Sequence, residues 1–215
     1  MNIVILGQQG SGKGTQACLL AEKFDMEHID MGKTLREIAQ SDTPLGREIY
    51  EIQNVKKTLV SNKILKEILG VKLKSVSLKK GIIFDGAPRT IDQVDYLEDA
   101  MLEMGRKIDH VIFISIPEPE SIMRTSKRRI CAKCQAILVM GKRIKNENDK
   151  CPECGGKISQ RKDDTPEGIK KRLEVFKAET MPVLEHYEKE GILIRIDGMQ
   201  PVKKVFEDII NGIAR

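Results

Sequence analysis

Short apolar runs alternate along the chain with longer stretches whose apolar residues recur every three or four positions. Asn2 to Leu6, Ile82 to Phe84, Val111 to Ile116 and Ile192 to Ile196 are compact runs of strand length, the pattern of buried parallel strands. Between them the spacing predicts helices over Lys13 to Phe24, with Leu19, Leu20 and Phe24 on one side, and over Thr34 to Gln40 and Leu45 to Gln53, parted by Ser41-Asp42-Thr43-Pro44. Further helices are expected over Ser61 to Ser75, Thr90 to Met104, Glu118 to Arg129, Pro166 to Lys189 and Pro201 to Ile213. An early Pro and the acidic Glu167 suit the start of the Pro166 helix. Strands separated by helices imply an α/β protein with a parallel sheet.

A length of 215 residues suits one domain with modest inserts. Apolar residues make up 40% and aromatics only 4%, so the expected core is aliphatic. The 37 Lys and Arg nearly balance the 32 Asp and Glu, which excludes a one-signed disordered tail. The excess of +5 is local: residues 127–164 carry 11 basic and 5 acidic residues, and four of the five cysteines. The apolar runs fall far short of the ~18 residues of a membrane span. No basic leader with an apolar stretch is recognisable, so a cytoplasmic location is expected, with clustered cysteines serving as metal ligands rather than disulfides.

Two motifs carry chemistry. Gly7-Gln8-Gln9-Gly10-Ser11-Gly12-Lys13 fits G-x-x-x-x-G-K between the first strand and the first helix, with Gly14 interposed before Thr15. Glycines let backbone N–H groups turn inward around a phosphate, the helix N-terminus adds positive potential, and Lys13 can reach the β- and γ-phosphates. Cys131-x-x-Cys134 and Cys151-x-x-Cys154, 16 residues apart, make a tetrahedral four-cysteine site for zinc or a similar ion. All four ligand positions are cysteine, so the ion is expected to be structural. Gly155-Gly156 permits tight backbone beside it, and the aromatic-free segment needs metal to fold. The fifth cysteine, Cys18, is expected to be a small buried apolar residue.

The Gly-Lys-Gly-Thr-Gln form of the loop resembles the adenylate kinase family of nucleoside monophosphate kinases. Other motifs match in order. Met31-Gly32-Lys33-Thr34-Leu35-Arg36 stands at the family's T-G-D-M-L-R, and Asp85-Gly86-Ala87-Pro88-Arg89-Thr90 with Gln93 at D-G-F-P-R-T. Arg128-Arg129 matches the pair that opens a mobile lid, and Arg161-Lys162-Asp163-Asp164 with Arg172 matches R-x-D-D and a later Arg. The resemblance implies a P-loop NTPase three-layer sandwich. Its core would span 1–29, 61–126 and 165–215, with a small helical insert for the monophosphate at 30–60 and a zinc-ribbon lid at 127–164.

It also implies the reaction ATP + AMP ⇌ 2 ADP with Mg²⁺. Lys13, Asp85, Arg89, Arg128, Arg161 and Arg172 would be catalytic, Asp85 holding a Mg²⁺-bound water. ATP would be held by Gly10, Ser11, Gly12, Lys13, Gly14, Thr15, Arg124, Arg128, Ile137, Leu138 and Gln200. AMP would be held by Met31, Arg36, Thr58, Leu59, Val60, Gly86, Arg89, Gln93, Arg161 and Arg172. Arginine suits this work because its planar fork grips phosphate oxygens in pairs and stays charged. Asp163 and Asp164 are candidates for a ribose contact, the lid hinge or a helix cap.

The chain departs from the family pattern at Met31, Lys33, Ala87, Thr58-Leu59-Val60, Ile137-Leu138-Val139 and Gln200, positions that bear on base selectivity rather than on the phosphate grip. Another acceptor base, or a nucleotide-binding regulator without turnover, are the alternative readings. The basic insert also raises a nucleic-acid binder, but the aromatic stacking residues of such a protein are missing. The expected partners are ATP, AMP and ADP, with no nucleic acid and no membrane, for a monomer.

Overall fold

The computed structural model describes residues 1–56, 58–161 and 163–214. Lys162 of the Arg-Lys-Asp-Asp run therefore lies outside the described residues. Strand β1 (Asn2–Gly7) is buried along its whole length and forms the centre of a five-stranded sheet. It pairs in parallel with β3 (Ile82–Asp85) on one side and β4 (His110–Ser115) on the other. Strand β2 (Glu27–Asp30) adds to β3 and β8 (Leu193–Asp197) to β4, giving the parallel order β2-β3-β1-β4-β8.

Alternation along β1 divides two cores. Val4 and Leu6 face one side with Phe84, Val111 and Phe113, and meet helices α4 (Asn62–Ser75), α5 (Ile91–Glu103) and α8 (Met181–Lys189). Ile3 and Ile5 face the other side with Ile83, Ile112 and Ile114, and meet α1 (Lys13–Phe24) and α9 (Val202–Ile213). Helices thus cover both faces of a parallel sheet, as its two-sided apolar strands require.

Local chemistry starts several helices. The Asp30 carboxylate accepts from Lys33 N at α2 (Met31–Ala39), and Thr43 accepts from Gly46 N at α3 (Pro44–Tyr50). Thr90 accepts from Gln93 N at α5, and Thr165 from Gly168 N at α7 (Pro166–Val175). A second, antiparallel sheet places β5 (Arg128–Cys131) between β6 (Ile137–Val139) and β7 (Ile158–Ser159). Its small core is Leu138, Ile144 and Ile158 with Cys131 and Cys151.

Several expectations change. Strand β2 was not among the expected strands. Helix α6 (Glu118–Ser126) stops before Arg129, because Arg128 and Arg129 pair with Val139 and Leu138 as strand residues. The helix expected over Pro166 to Lys189 is broken by a π-helical stretch, Phe176–Thr180, between α7 and α8. Pro182 has no N–H to donate and its ring would crowd the Ala178 carbonyl, so the wider turn relieves a clash. A second π-helical stretch, Glu51–Lys56, follows α3. On α1, Leu20 is fully buried but Phe24 is exposed, and Cys18 is exposed too. The Cys18 position is solvent-facing on the helix, with its sulfur 3.7 Å from His28 Nδ1.

Candidate active site

The loop between β1 and α1 turns through two left-handed glycines, Gly10 at φ 77° and Gly12 at φ 92°. A side chain is strained in that conformation, so the residue type follows from the turn. Gly12 caps α1 without any side-chain hydrogen bond, leaving first-turn N–H groups available to an anion. Gly14, which separates Lys13 from Thr15, has a structural reason: a Cβ there would lie 3.2 Å from Asp85 Oδ2. The loop forms one wall of a cavity of about 910 Å³, into which Arg36, Arg89, Arg124, Arg128, Arg161 and Arg172 also face.

Charge is crowded in this cavity. Burial pushes the Lys13 ammonium down to about 8, against the opposing pull of Asp85. Burial, with Arg128 and Arg36 nearby, pushes the Arg161 guanidinium down to about 9. Burial also holds Arg36 and Arg89 below the usual arginine value. Burial alone would raise the Asp85 carboxyl, but the His28 ring and the Lys13 charge hold it below the usual carboxylate range. His28 Nε2 lies 3.5 Å from Asp85 Oδ2. Burial works against the charged ring, yet Asp85 and Cys18 raise its pKa to about 10. Such a site favours a polyanion, which relieves the mutual repulsion of desolvated cations.

Acidic and carbonyl groups fix several arginines. Asp164, fully buried, accepts from Arg128 Nε at 2.8 Å, from Arg128 Nη2 at 2.6 Å and from Arg172 Nη2 at 2.7 Å. Arg172 Nη1 also lies 2.8 Å from Asp163 Oδ2. Both aspartates thus hold arginines, while the cap of α7 is Thr165. Arg124 donates to Glu120 Oε1 at 2.5 Å and to the Gly198 carbonyl at 3.0 Å. Arg89 Nε donates to the Gly86 carbonyl at 2.7 Å, and the Thr180 hydroxyl donates to the Arg89 carbonyl at 3.1 Å.

Among the residues singled out from sequence, Gly10, Gly12, Lys13, Gly14, Thr15, Thr58, Leu59, Asp85, Gly86, Ile137, Gln200 and the six arginines line the cavity. Ser11, Met31, Val60, Gln93 and Leu138 are buried behind its wall. Met31 and Val60 pack in the larger core and Leu138 in the core of the small sheet. The Gln93 amide is engaged: Oε1 accepts from Arg89 N at 2.8 Å and Nε2 donates to Asn62 at 3.1 Å. Gln200 Nε2 donates to Asp208 Oδ2 at 2.9 Å. Sequence reasoning passed over His28 and Glu120, the partners of Asp85 and Arg124. Only the (i, i+4) spacing of Glu120 and Arg124 on one helix offered a signal.

The four cysteine sulfurs lie within 4.8 Å of one another, with Cys131 to Cys154 at 3.5 Å and Cys134 to Cys151 at 3.7 Å. Sulfurs around a tetrahedral Zn²⁺ at Zn–S of about 2.3 Å are roughly 3.8 Å apart, so the donor set fits that ion. Gly156 is required by the same packing, since a Cβ there would come within 2.9 Å of Cys131 Sγ. Among the described residues, no helix is long and apolar enough to cross a membrane.

A family model described as adenylate kinase matches residues 5–192. An adenylate kinase of Caldicellulosiruptor saccharolyticus is 38% identical over 213 residues, covering 99% of each chain. One from Methanothrix thermoacetophila is 39% identical over 215 residues, covering 100% of this chain and 99% of its own. One from Archaeoglobus fulgidus is 37% identical over 209 residues, covering 97% and 96%. With a phosphate-binding loop, convergent arginines and a four-cysteine cluster on one parallel α/β framework, the chain belongs to the adenylate kinase family.

Proposed function

We propose that this protein is a phosphotransferase that moves the terminal phosphoryl group of ATP to AMP, giving two ADP, and that it runs in both directions. The observation that carries the reading is that Lys13 and six arginines converge on one cavity large enough for more than one nucleotide. Phosphoryl transfer needs little covalent help from protein; it needs alignment and neutralisation of many negative oxygens.

The loop N–H groups and Lys13 hold the donor β- and γ-phosphates. Arg36 and Arg89 hold the acceptor phosphate from the opposite side. Arg128, Arg161 and Arg172 lie across the phosphoryl group in flight and spread its charge. Arg124 and the wall at Ile137 and Gln200 bound the donor base, and Thr58 and Leu59 the acceptor base. Asp85, buried, ionised and beside the loop, fits a hydrated Mg²⁺, which when bound shields the phosphates. Residues 30–60 act as the acceptor insert and 127–164 as a lid that zinc keeps rigid, both closing on a core of 1–29, 61–126 and 165–215. Closure excludes water, which would otherwise compete as acceptor. The working form is a cytoplasmic monomer.

The test is a coupled assay of zinc-loaded protein with MgATP and a panel of AMP, CMP, UMP and GMP. ADP formation with AMP as the best acceptor is expected. No turnover with any acceptor refutes the enzyme, and turnover confined to another base refutes AMP.

A further inference from the structure

One cluster away from the cleft plays no part in phosphoryl transfer. His186 on α8 and Glu190 at its C-cap stand one turn apart, and Glu98 meets them from α5. His186 Nε2 is 3.3 Å from Glu190 Oε1 and 3.6 Å from Glu98 Oε1. Both contacts are of ion-pair length, and among the described residues the Nε2 atom, itself buried, makes no well-aligned hydrogen bond. The three ligand atoms lie within 4.8 Å of one another.

These spacings have a chemical meaning. Nitrogen and oxygen ligands at about 2.0–2.1 Å from a tetrahedral divalent ion sit roughly 3.3–3.4 Å apart. The two separations from His186 Nε2, 3.3 and 3.6 Å, are close to that value, and all three ligand atoms lie within 4.8 Å of one another. Two carboxylates face one imidazole, so the site is negative in either state of the ring. Beside it, the Tyr187 side chain is fully buried. The three ligand side chains remain partly open to solvent, so an ion has a path in.

We propose that Glu98, His186 and Glu190 bind a divalent transition-metal ion of the zinc or cobalt class, with water completing the coordination. Imidazole with carboxylates suits Zn²⁺ and Co²⁺ better than Mg²⁺ or Ca²⁺, which favour all-oxygen sites. This site is separate from the four cysteines. Its ion ties α5 to α8, the two helices that reach Arg89: α5 starts directly after Thr90, and Thr180 before α8 donates to the Arg89 carbonyl. Its role is to hold that frame.

The experiment uses the full chain with its cysteine site already filled by one equivalent of zinc. Co²⁺ is titrated in, followed by calorimetry and by visible absorption. One further equivalent is expected, with the weak bands of nitrogen and oxygen ligation rather than thiolate charge transfer, together with a rise in melting temperature. H186Q and E98Q, partly exposed positions outside the cleft, are each expected to weaken this equivalent at least ~10-fold and to abolish the rise. Absence of the second equivalent overturns the proposal, as does its persistence at unchanged affinity in H186Q and E98Q.

Discussion

Asp164 holds two of the cleft arginines, and its replacement by Asn is the most exacting test of how they are held. The side chain is 1% exposed and accepts three charge-assisted hydrogen bonds from two guanidiniums. D164N keeps the shape, removes the negative charge and turns one acceptor into a donor pointed at an arginine. Breaking a buried ion pair from one side costs about 3–5 kcal/mol. Here the side chains of Arg128 and Arg172 are 12% and 17% exposed, so water relieves part of that loss. Arg172 also keeps Asp163. The expected destabilisation is therefore about 3 kcal/mol, or roughly 6–12 °C in melting temperature at this chain length. Because both arginines lose their orientation, kcat should fall as well, by about 10²-fold. Thermal melts and urea unfolding measure the first effect, and the coupled assay the second. D163N, at a carboxylate 25% exposed whose one ion-pair partner among the described residues is Arg172, is the control and should cost about 1 kcal/mol or less. A D164N protein that melts within about 1 kcal/mol of the parent and keeps its kcat would show that Asp164 does not position these arginines. The sign with pH is fixed. Burial raises and the two arginines lower the Asp164 carboxyl, with a net lowering, so its contribution is present above the unfolded carboxylate pKa and is lost as pH falls through the lower folded one.

Other tests use the same logic. Lys13, near half-protonated at pH 8 with its pKa at about 8, should take up about half a proton when a polyphosphate binds; calorimetry in buffers of different ionisation enthalpy would show it, and K13R should abolish it. His28, raised from 6.5 to about 10, contributes stability that is full below about 6.5 and is lost as pH rises through about 10. Melts across that window should therefore decline in the parent and be flatter in H28Q; parallel curves would sink the His28–Asp85 coupling. Zinc chelation or C131S should lower the melting temperature and open residues 127–164 to protease while ATP still binds the loop; equal melting with and without zinc would refute a structural ion. R161M should lower kcat by about 10²-fold yet leave the melting temperature unchanged or higher, because Arg161 is a desolvated cation pressed by Arg128 and Arg36; a clear loss of stability would contradict that.

What could be read directly from the chain was chemistry confined to short windows. The loop from Gly7 to Thr15 and the two cysteine pairs are local patterns whose geometry follows from residue type and spacing. The strands β1, β3 and β4 were legible for the same reason, since a strand buried on both faces is a continuous apolar run, and the edge strand β8 was legible from Leu193, Ile194 and Ile196 although Arg195 and Asp197 are exposed. Strand β2 was not, because Glu27-His28-Ile29-Asp30 has a single fully buried position and sits at the sheet edge. Its omission hid His28, whose partner Asp85 lies 57 positions later and becomes a neighbour only through the β2–β3 register, Asp30 opposite Asp85. The overrun of α6 has a similar origin: Arg128 and Arg129 suit a helix, and only antiparallel pairing with β6 makes them strand residues. Asp164 looked like a hinge or cap candidate. Its link to Arg128 spans 36 positions and belongs to tertiary structure alone.

The charge distribution separates two kinds of arginine. Arg128 and Arg172 are held by Asp164, and Arg124 by Glu120, so their orientation is set within the protein before any anion enters. Arg36 and Arg161 differ: among the described residues the Nε atom of each, buried, has no hydrogen-bond partner. A buried donor without an acceptor costs stability, and a buried cation costs more. Phosphate oxygens satisfy both needs at once. The held arginines therefore act as fixed walls, and the unsatisfied ones as the part of the cleft whose free energy is improved by an anion. Residues 127–164, with a net +6, supply one arginine of each kind to the cavity, Arg128 and Arg161. The excess charge is thus concentrated in a segment that lends Arg128 and Arg161 to the cavity, while the rest of the chain, which supplies the parallel sheet, carries balanced charge.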